Sequence, residues 1–152
     1  MSKKAEKIFD DLMQYIDTNV IIYAIENHPK YGKACKKILE DVESGTLEVS
    51  ASILVLVELI NVLVKINKIL KKQGKKALNL KDNTEAVLSL PITWIDLDFF
   101  IIEKASEYRY NINGVDYVHI ATMEINSISE IISADEDLDV IKTIERTDPL
   151  KY

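Results

Sequence analysis

Four carboxylates of the sequence lie among apolar residues, where an ionised side chain is costly to bury unless a positive group faces it. They are Asp17 in YIDTNVIIY, Glu58 in VELINVL, Asp116 in NGVDYVHIATM and Asp135 in IISADEDLDVI. Carboxylates that meet in a partly dry cleft repel each other, and a hard divalent cation relieves that repulsion. Because ligand sets made only of oxygen select Mg²⁺ or Mn²⁺, these four residues could together form a site for one of those ions.

Three of the four carboxylates also have an ordinary structural explanation, and the sequence leaves both explanations open. Asp17 could cap the helix that follows it, and Asp135 could cap a turn. Asp116 could form an approximate capping pair with Asn113. Glu58 is harder to explain in this way, because an ionised glutamate on a mostly buried helix is costly unless paired and no arginine lies nearby in the sequence. If Glu58 is unpaired, Glu58→Gln should stabilise the metal-free protein by relieving repulsion.

Histidine and cysteine are too scarce to suggest a different metal. The two histidines, His28 and His119, and the single cysteine, Cys35, provide too few ligands for a zinc site. Cys35 cannot form an internal disulfide, so we interpret it as structural and expect a reducing, cytoplasmic location. The N-terminus is polar and no apolar run is long enough to cross a bilayer, so neither a signal peptide nor a membrane segment is expected.

Short β-branched runs alternate with longer helical segments along the chain. The runs predicted as strands are MQYID, TLEVSAS, ITWIDL, EIISAD and a short fifth in TIERTDP. The segments predicted as helices are NVIIYAI, YGKACKKILEDVESG, SILVLVELINVLVKINKILKKQGKK, NLKDNTEAVLSL, DFFIIEKASEYRY and NGVDYVHIATMEIN. The alternation predicts an α/β fold, a three-layer α/β/α domain with a parallel sheet of four or five strands. Ligands of such sheets bind beyond the carboxyl ends of the strands, which is where Asp17 and Asp135 lie.

The charge distribution gives two opposite indications about nucleic acid. The net charge of -6 and the pI of ≈ 5.0 argue against a nucleic-acid binder. Between Leu59 and Lys81, however, there is no acidic residue. Within this basic stretch, Lys65, Lys68 and Lys72 share a helical face because they are three and four positions apart. The stretch is either a solvated helix face or a patch that attracts phosphates, and both readings stay open.

The four acidic motifs occur together in an order and at a spacing that resemble one known family. The chain resembles the PIN-domain ribonucleases, and within them the small VapC-like toxins of prokaryotic toxin–antitoxin pairs, over roughly residues 13–149. The catalytic acids and metal ligands that this resemblance implies are Asp17, Glu58, Asp116 and Asp135, with Asp137 as a reserve ligand. The residues that it implies for orienting the ligands or the substrate are Thr18, Asn19 and Ser133.

The resemblance also implies an activity and its partners. The expected activity is that of a metal-dependent endoribonuclease, in which water attacks a phosphodiester in line and leaves 5′-phosphate and 3′-hydroxyl ends, with one or two Mg²⁺ or Mn²⁺ ions bound. Lys65, Lys68 and Lys72 would hold the RNA. The expected partners are RNA, a second copy of the chain in a homodimer, and a small antitoxin protein. The alternative is a non-catalytic PIN-like module that serves as a scaffold for RNA or protein; a phosphate-binding receiver-like domain ranks lower, because Asp17 has no second acid beside it.

The chain departs from the family pattern in three places. Residues 1–12 precede the first motif and are predicted to form an N-terminal extension to a PIN-like nuclease domain of residues 13–152. Leu138 lies where the family commonly has phenylalanine, and a long lysine-bearing helix pair separates the second and third motifs. None of these departures removes a predicted ligand.

Overall fold

The computed structural model describes residues 13–152, so the predicted N-terminal extension lies outside the described residues. Five strands form one sheet: β1 (Gln14–Ile16), β2 (Val49–Ser52), β3 (Thr93–Ile95), β4 (Glu130–Ile132) and β5 (Glu145–Thr147). Every neighbouring pair is parallel, and the strand order is β3-β2-β1-β4-β5. The prediction of a parallel sheet with four or five strands is therefore confirmed, and the short run TIERTDP does contain the fifth strand.

Helices connect the strands in the predicted order. They are α1 (Thr18–Ile25), α2 (Gly32–Glu43), α3 (Leu54–Lys72), α4 (Leu80–Leu88), α5 (Phe99–Ala105) and α6 (Gly114–Ile125), with 3₁₀ helices at Glu136–Val140 and Pro149–Lys151. Gly74, which the sequence indicated as the end of α3, adopts a φ of 67° just beyond it. Among residues 13–152, no helix is both long enough and apolar enough to span a membrane.

Helix α5 is shorter than predicted, because the segment DFFIIEKASEYRY does not stay helical to its end. The Ser106 hydroxyl donates to the Glu103 carbonyl at 2.5 Å, which satisfies a carbonyl that a longer helix would have used. Beyond that turn, the rings of Tyr108 and Tyr110 pack against Tyr117 of α6. Aromatic packing against α6 therefore replaces the predicted last turn of α5.

The sheet is covered by helices on both faces. Neighbouring residues of β1 point to opposite sides, so that Ile16 joins an apolar cluster with α1 to α4 while Tyr15 joins a cluster with α6 and the first 3₁₀ helix. Helix α5 packs on α6, where Ile101 and Ala121 belong to one buried cluster. This is the predicted three-layer α/β/α arrangement.

The strand order determines where a ligand crevice can open. From β1 at the centre, the chain runs outward through β2 and β3 and then returns to β4 and β5 on the other side of β1. The direction reverses between β1 and β4, and a crevice opens beyond the carboxyl ends of two such strands. Asp17 follows β1 at this edge, and its backbone amide donates to the carbonyl of Ile132 in β4 at 3.1 Å.

Candidate active site

A cleft of ≈ 540 Å³ opens at this carboxyl edge of the sheet, and all five predicted acidic residues line it. It lies between the N-terminal ends of α1 and α6, helix α3 and the loop after β4. The acidic residues in its lining are Asp17, Glu58, Asp116, Asp135 and Asp137, together with Glu26, which was not predicted. Thr18 and Asn19 line it as well, so residues far apart in the sequence meet where the sheet topology predicted.

Asp17 is nearly buried and is held by three hydrogen bonds. Its Oδ1 accepts from the Thr18 backbone amide at 2.7 Å. Its Oδ2 accepts from the Ser133 hydroxyl at 2.6 Å and from the Asn19 side-chain amide at 3.3 Å. Burial raises the pKa of Asp17 above its ordinary value, against the lowering effects of His119 and of the Ser133 hydrogen bond. None of the three donors is charged, so the carboxylate is well oriented but not neutralised by them.

Asn19 and Ser133 connect the two loops that meet at the reversal of the sheet. The Asn19 amide donates to the Ser133 hydroxyl oxygen at 3.1 Å, and its carbonyl oxygen accepts from the Ala134 amide at 3.2 Å. The Asp135 amide also donates to the Ser133 hydroxyl oxygen, at 3.0 Å. Because Ser133 is fully buried, it acts on Asp17 and on the loop rather than on a bound molecule.

Glu58 is not unpaired, which overturns the premise on which Glu58→Gln was expected to stabilise the protein. Its Oε1 accepts from the Thr18 hydroxyl at 3.0 Å and lies 2.5 Å from Nε2 of His119. Thr18 therefore contacts Asp17 through its backbone and Glu58 through its side chain. The partner lies 61 positions further along the chain, and for that reason it could not be seen near Glu58 in the sequence.

His119 is the residue of the site that sequence reasoning missed, since it was considered only as one of too few zinc ligands. It is 3% exposed on α6, and its Nδ1 lies 2.5 Å from the Tyr15 hydroxyl, which also accepts from the Ser52 backbone amide at 3.1 Å. Burial acts to lower the pKa of His119, but the hydrogen bond with Glu58 and the charge of Asp17 raise it above the ordinary value. The sequence feature that points to His119 is its position one helical turn after Asp116, on the same face of a buried helix.

Asp135 combines the two roles that the sequence left open, whereas Asp116 lies in the cleft without a side-chain capping bond among the described residues. Asp116 lies in the first turn of α6, whose cap is the Asn113 side chain that accepts from the Val115 amide at 2.9 Å. Burial raises the pKa of Asp116 to about 6, and the charges of Asp17 and Asp135 act in the same direction. Asp135 caps the first 3₁₀ helix by accepting from the Asp137 amide at 3.0 Å. Capping and a position in the cleft therefore do not exclude each other.

The three predicted RNA-binding lysines are exposed on α3. The residues of α3 that line the cleft are Glu58, Val62 and Ile66. Lys65 and Lys72 follow Glu58 by two and four helical turns and stay on its side of the helix. Lys68 instead lines a separate groove of ≈ 420 Å³, together with Val64, Asn67, Lys71, Lys75 and Ala77. Lys68 thus lies between the side of Glu58 and this groove, three positions from Lys65 and four from Lys72.

The side chains of the cleft fit a divalent cation by their chemistry. They offer only oxygen donors at the cleft surface, and burial, with the charges of Asp17 and Asp135 acting in the same direction, raises the pKa of Asp116. In the part of the chain that the structure describes, no three His, Cys, Asp or Glu side chains are grouped closely enough to hold an ion as they stand. The carboxylates would have to draw together around an ion, which would relieve the repulsion between them.

The fold and the acidic cleft together define an α/β/α domain with a carboxylate site at the reversal of a parallel sheet. Residues 14–144 match the PIN domain, so the chain belongs to the PIN-domain family, which is a family of nucleases. No curated protein matches the sequence.

Three solved structures share the fold at low sequence identity. VapBC2 from Rickettsia felis, bound to a DNA fragment from its promoter, is similar with a TM-score of 0.65 and 19% identity, over 89% of this chain and 97% of that one. A toxin–antitoxin complex from Klebsiella pneumoniae is similar with a TM-score of 0.59 and a sequence identity of 20%. The match covers 90% of this chain and 97% of that chain. FitAcB from Neisseria gonorrhoeae is similar with a TM-score of 0.58 and a sequence identity of 14%. The match covers 92% of this chain and 99% of that chain.

Proposed function

We propose that the protein is a metal-dependent endoribonuclease. The observation that carries this proposal is the cleft itself: six carboxylates, five of them predicted, line one opening of ≈ 540 Å³ at the carboxyl edge of a PIN-domain sheet. Nothing in an ordinary surface requires such a gathering. Burial, together with the charges of Asp17 and Asp135, raises the pKa of Asp116, so that its ionised form works against folding. A site that tolerates this strain is typical of function rather than of stability.

Each acidic residue has a role in this proposal. Asp17, Glu58 and Asp116 would hold one or two Mg²⁺ or Mn²⁺ ions, Asp135 would be a further ligand or a base, and Asp137 would be a reserve ligand. A bound divalent ion supplies a Lewis acid that activates water and stabilises charge on the attacking and leaving oxygens of a phosphodiester. Thr18, Asn19 and Ser133 orient the carboxylates through the hydrogen bonds described above. The products would carry 5′-phosphate and 3′-hydroxyl ends.

The RNA backbone would be held by the side of α3 that continues from the cleft. Lys65 and Lys72 are exposed there and share the side of Glu58, and Lys68 would add to their field from the neighbouring face. In an acidic protein, such a local cluster of lysines is what could attract the phosphates of a single strand.

The cellular role we propose is that of the toxin in a VapBC-type toxin–antitoxin pair, acting in the cytoplasm. It is supported by the similarity of the fold to proteins solved in VapBC2, toxin–antitoxin and FitAcB complexes. A short neighbouring gene that encodes a basic DNA-binding segment and an amphipathic tail would provide the antitoxin. Expression of the chain alone should then arrest growth, co-expression of the neighbour should restore it, and the Asp17→Asn variant should be harmless without it.

A homodimer is the assembly that we propose. The side chains of Phe99 and Phe100 at the start of α5 are 91% and 76% exposed, which is unusual for phenylalanine on the surface of a monomer. Burial of both rings against a second copy would remove this apolar surface from water.

Cleavage of a labelled single-stranded RNA in Mg²⁺ or Mn²⁺ tests the activity. Asp17→Asn and Asp116→Asn remove a charge and keep the shape, so each should abolish metal-dependent cleavage by a folded protein. Asp96→Asn is the matched control, because Asp96 follows β3 at the same edge of the sheet but is exposed and lies outside the cleft. If the wild type binds RNA without cutting it in either metal, the alternative of a non-catalytic scaffold is correct.

A further inference from the structure

Both hydrogen bonds to the Glu58 carboxylate reach the same oxygen. His119 Nε2 and the Thr18 hydroxyl meet at Oε1, at 2.5 Å and 3.0 Å. Within residues 13–152, no hydrogen bond reaches Oε2, although the side chain lines the cleft and is 30% exposed. The two oxygens of one carboxylate therefore have different environments.

The direction of the hydrogen bonds behind Glu58 follows from the donor groups. The Ser52 backbone amide can only donate, so the Tyr15 hydroxyl oxygen accepts there at 3.1 Å. A tyrosine hydroxyl has one proton of its own to donate besides the bond that it accepts. Among the described residues, the remaining partner of that proton is Nδ1 of His119 at 2.5 Å. If Nδ1 accepts, the neutral ring carries its proton on Nε2, where it faces Glu58.

We propose that Tyr15 and His119 are positioning residues for Glu58. Tyr15 fixes the tautomer of His119, the Nε2–H of His119 holds Oε1, and Oε2 is left for the divalent cation. The orientation of the carboxylate follows from the hydrogen bonds alone, whereas the identity of the ion rests on the proposed function.

A glutamate needs this support more than an aspartate does. Glu58 reaches the cleft from a helix on a side chain with three rotatable torsions, while Asp17 is short and held by three donors from its own loop and from Ser133. Without His119, the carboxylate of Glu58 could turn toward solvent. Groups that hold metal ligands in this way typically change metal affinity about 10–100-fold when removed.

The tautomer can be measured directly in the metal-free protein. The chain has only two histidines, so a long-range ¹H–¹⁵N NMR spectrum of histidine-labelled protein is simple to assign, with His28→Asn identifying the second ring. At alkaline pH, where the imidazole is neutral, we expect His119 to be protonated on Nε2. In Tyr15→Phe, that preference should weaken. Protonation on Nδ1 in the wild type would overturn the proposal.

Calorimetric titration with Mn²⁺ tests the consequence for the site. His119→Leu should weaken Mn²⁺ binding about 10–100-fold, and Tyr15→Phe should weaken it less. His119→Gln should remain within about threefold of the wild type, because its side-chain amide can place a donor near the position of Nε2. Ile120→Ala is the control for lost stability, since Ile120 is buried on the same helix and carries no polar group.

The results separate the two proposals. If the wild type binds Mn²⁺ and Asp17→Asn does not, but His119→Leu binds as tightly as the wild type or Ile120→Ala weakens binding equally, only the positioning role fails. If the wild type does not bind Mn²⁺, the proposed function fails together with the assignment of Oε2 to a cation.

Discussion

The charge of Asp116 should destabilise the metal-free protein, and removing it should therefore stabilise the fold. Its pKa of about 6 in the folded protein compares with an ordinary value of 3.8. The folded state thus binds this proton more tightly than the unfolded chain does, so stability rises as the pH falls from above 6 toward 4. Asp116→Asn keeps the shape without the charge and should be more stable than the wild type at about pH 8.

The size of this effect follows from the same difference. About two pKa units correspond to about 3 kcal/mol, and solvent screening of a half-buried group reduces this to about 1–1.5 kcal/mol. For a domain of this size, that is an increase in Tm of about 3–5 °C. The gain should shrink as the pH falls from 6 to 4 and vanish below about pH 3, where Asp116 is protonated in both the folded and the unfolded state.

Thermal unfolding followed by circular dichroism in chelator, at several pH values, measures the effect. Asp96→Asn provides the control, because its carboxylate is exposed and outside the cleft. Addition of Mn²⁺ should reverse the order, since the ion stabilises the wild type and has lost a ligand in Asp116→Asn. A Tm of Asp116→Asn at or below that of the wild type at alkaline pH in chelator would refute the argument that burial beside other carboxylates makes the ionised Asp116 destabilising.

Three further predictions follow from the contacts described. Glu58→Gln should lower the free energy of unfolding in chelator by about 1–2 kcal/mol, because it weakens a charged hydrogen bond with His119. This effect is opposite in sign to that of Asp116→Asn. Equal or higher stability in denaturant titrations would contradict the pairing of Glu58 with His119. The double variant Lys65→Glu with Lys72→Glu should weaken RNA binding and lower the magnitude of the slope of log K against log salt by about 1.4. The control, Lys71→Glu with Lys75→Glu in the other groove, should change that slope less. Equal slopes for the two double variants would place the RNA elsewhere. Phe99→Ser with Phe100→Ser should shift the sedimentation coefficient from dimer to monomer without loss of RNA cleavage per folded chain, and an unchanged coefficient would exclude these rings from the interface.

The order of strands and helices could be predicted because each element carries its own local signal. β-Branched runs such as TLEVSAS bury both faces in β2, and the apolar repeat of α3 places Leu59 and Leu63 in the core. The end of α5 could not be predicted in this way. It depends on Tyr108 and Tyr110 packing against Tyr117 of another helix, and that preference is invisible in the local pattern.

The site shows the same division between local and distant information. The carboxylates could be found because an acid in an apolar segment is locally unexpected. The resemblance of their motifs to a known family indicated that they form one site. His119 did not stand out, since a single buried histidine is common and its partners, Glu58 and Tyr15, lie 61 and 104 positions away. Likewise, spacing alone groups Lys65, Lys68 and Lys72, but the groove that Lys68 also lines is formed partly by residues beyond the end of α3 and is not visible in that spacing.

The central position of β1 has a consequence for when the site can form during synthesis. β1 is among the first parts of the domain to leave the ribosome, yet it pairs with β4, and Asp17 receives its hydrogen bond from Ser133 across 116 positions. Closing so long a loop is slow compared with forming local contacts. A nascent chain that has reached only α6 still lacks Ser133 and Asp135, so its acidic cleft is incomplete. The fold thereby delays a complete site until nearly the whole domain has been made.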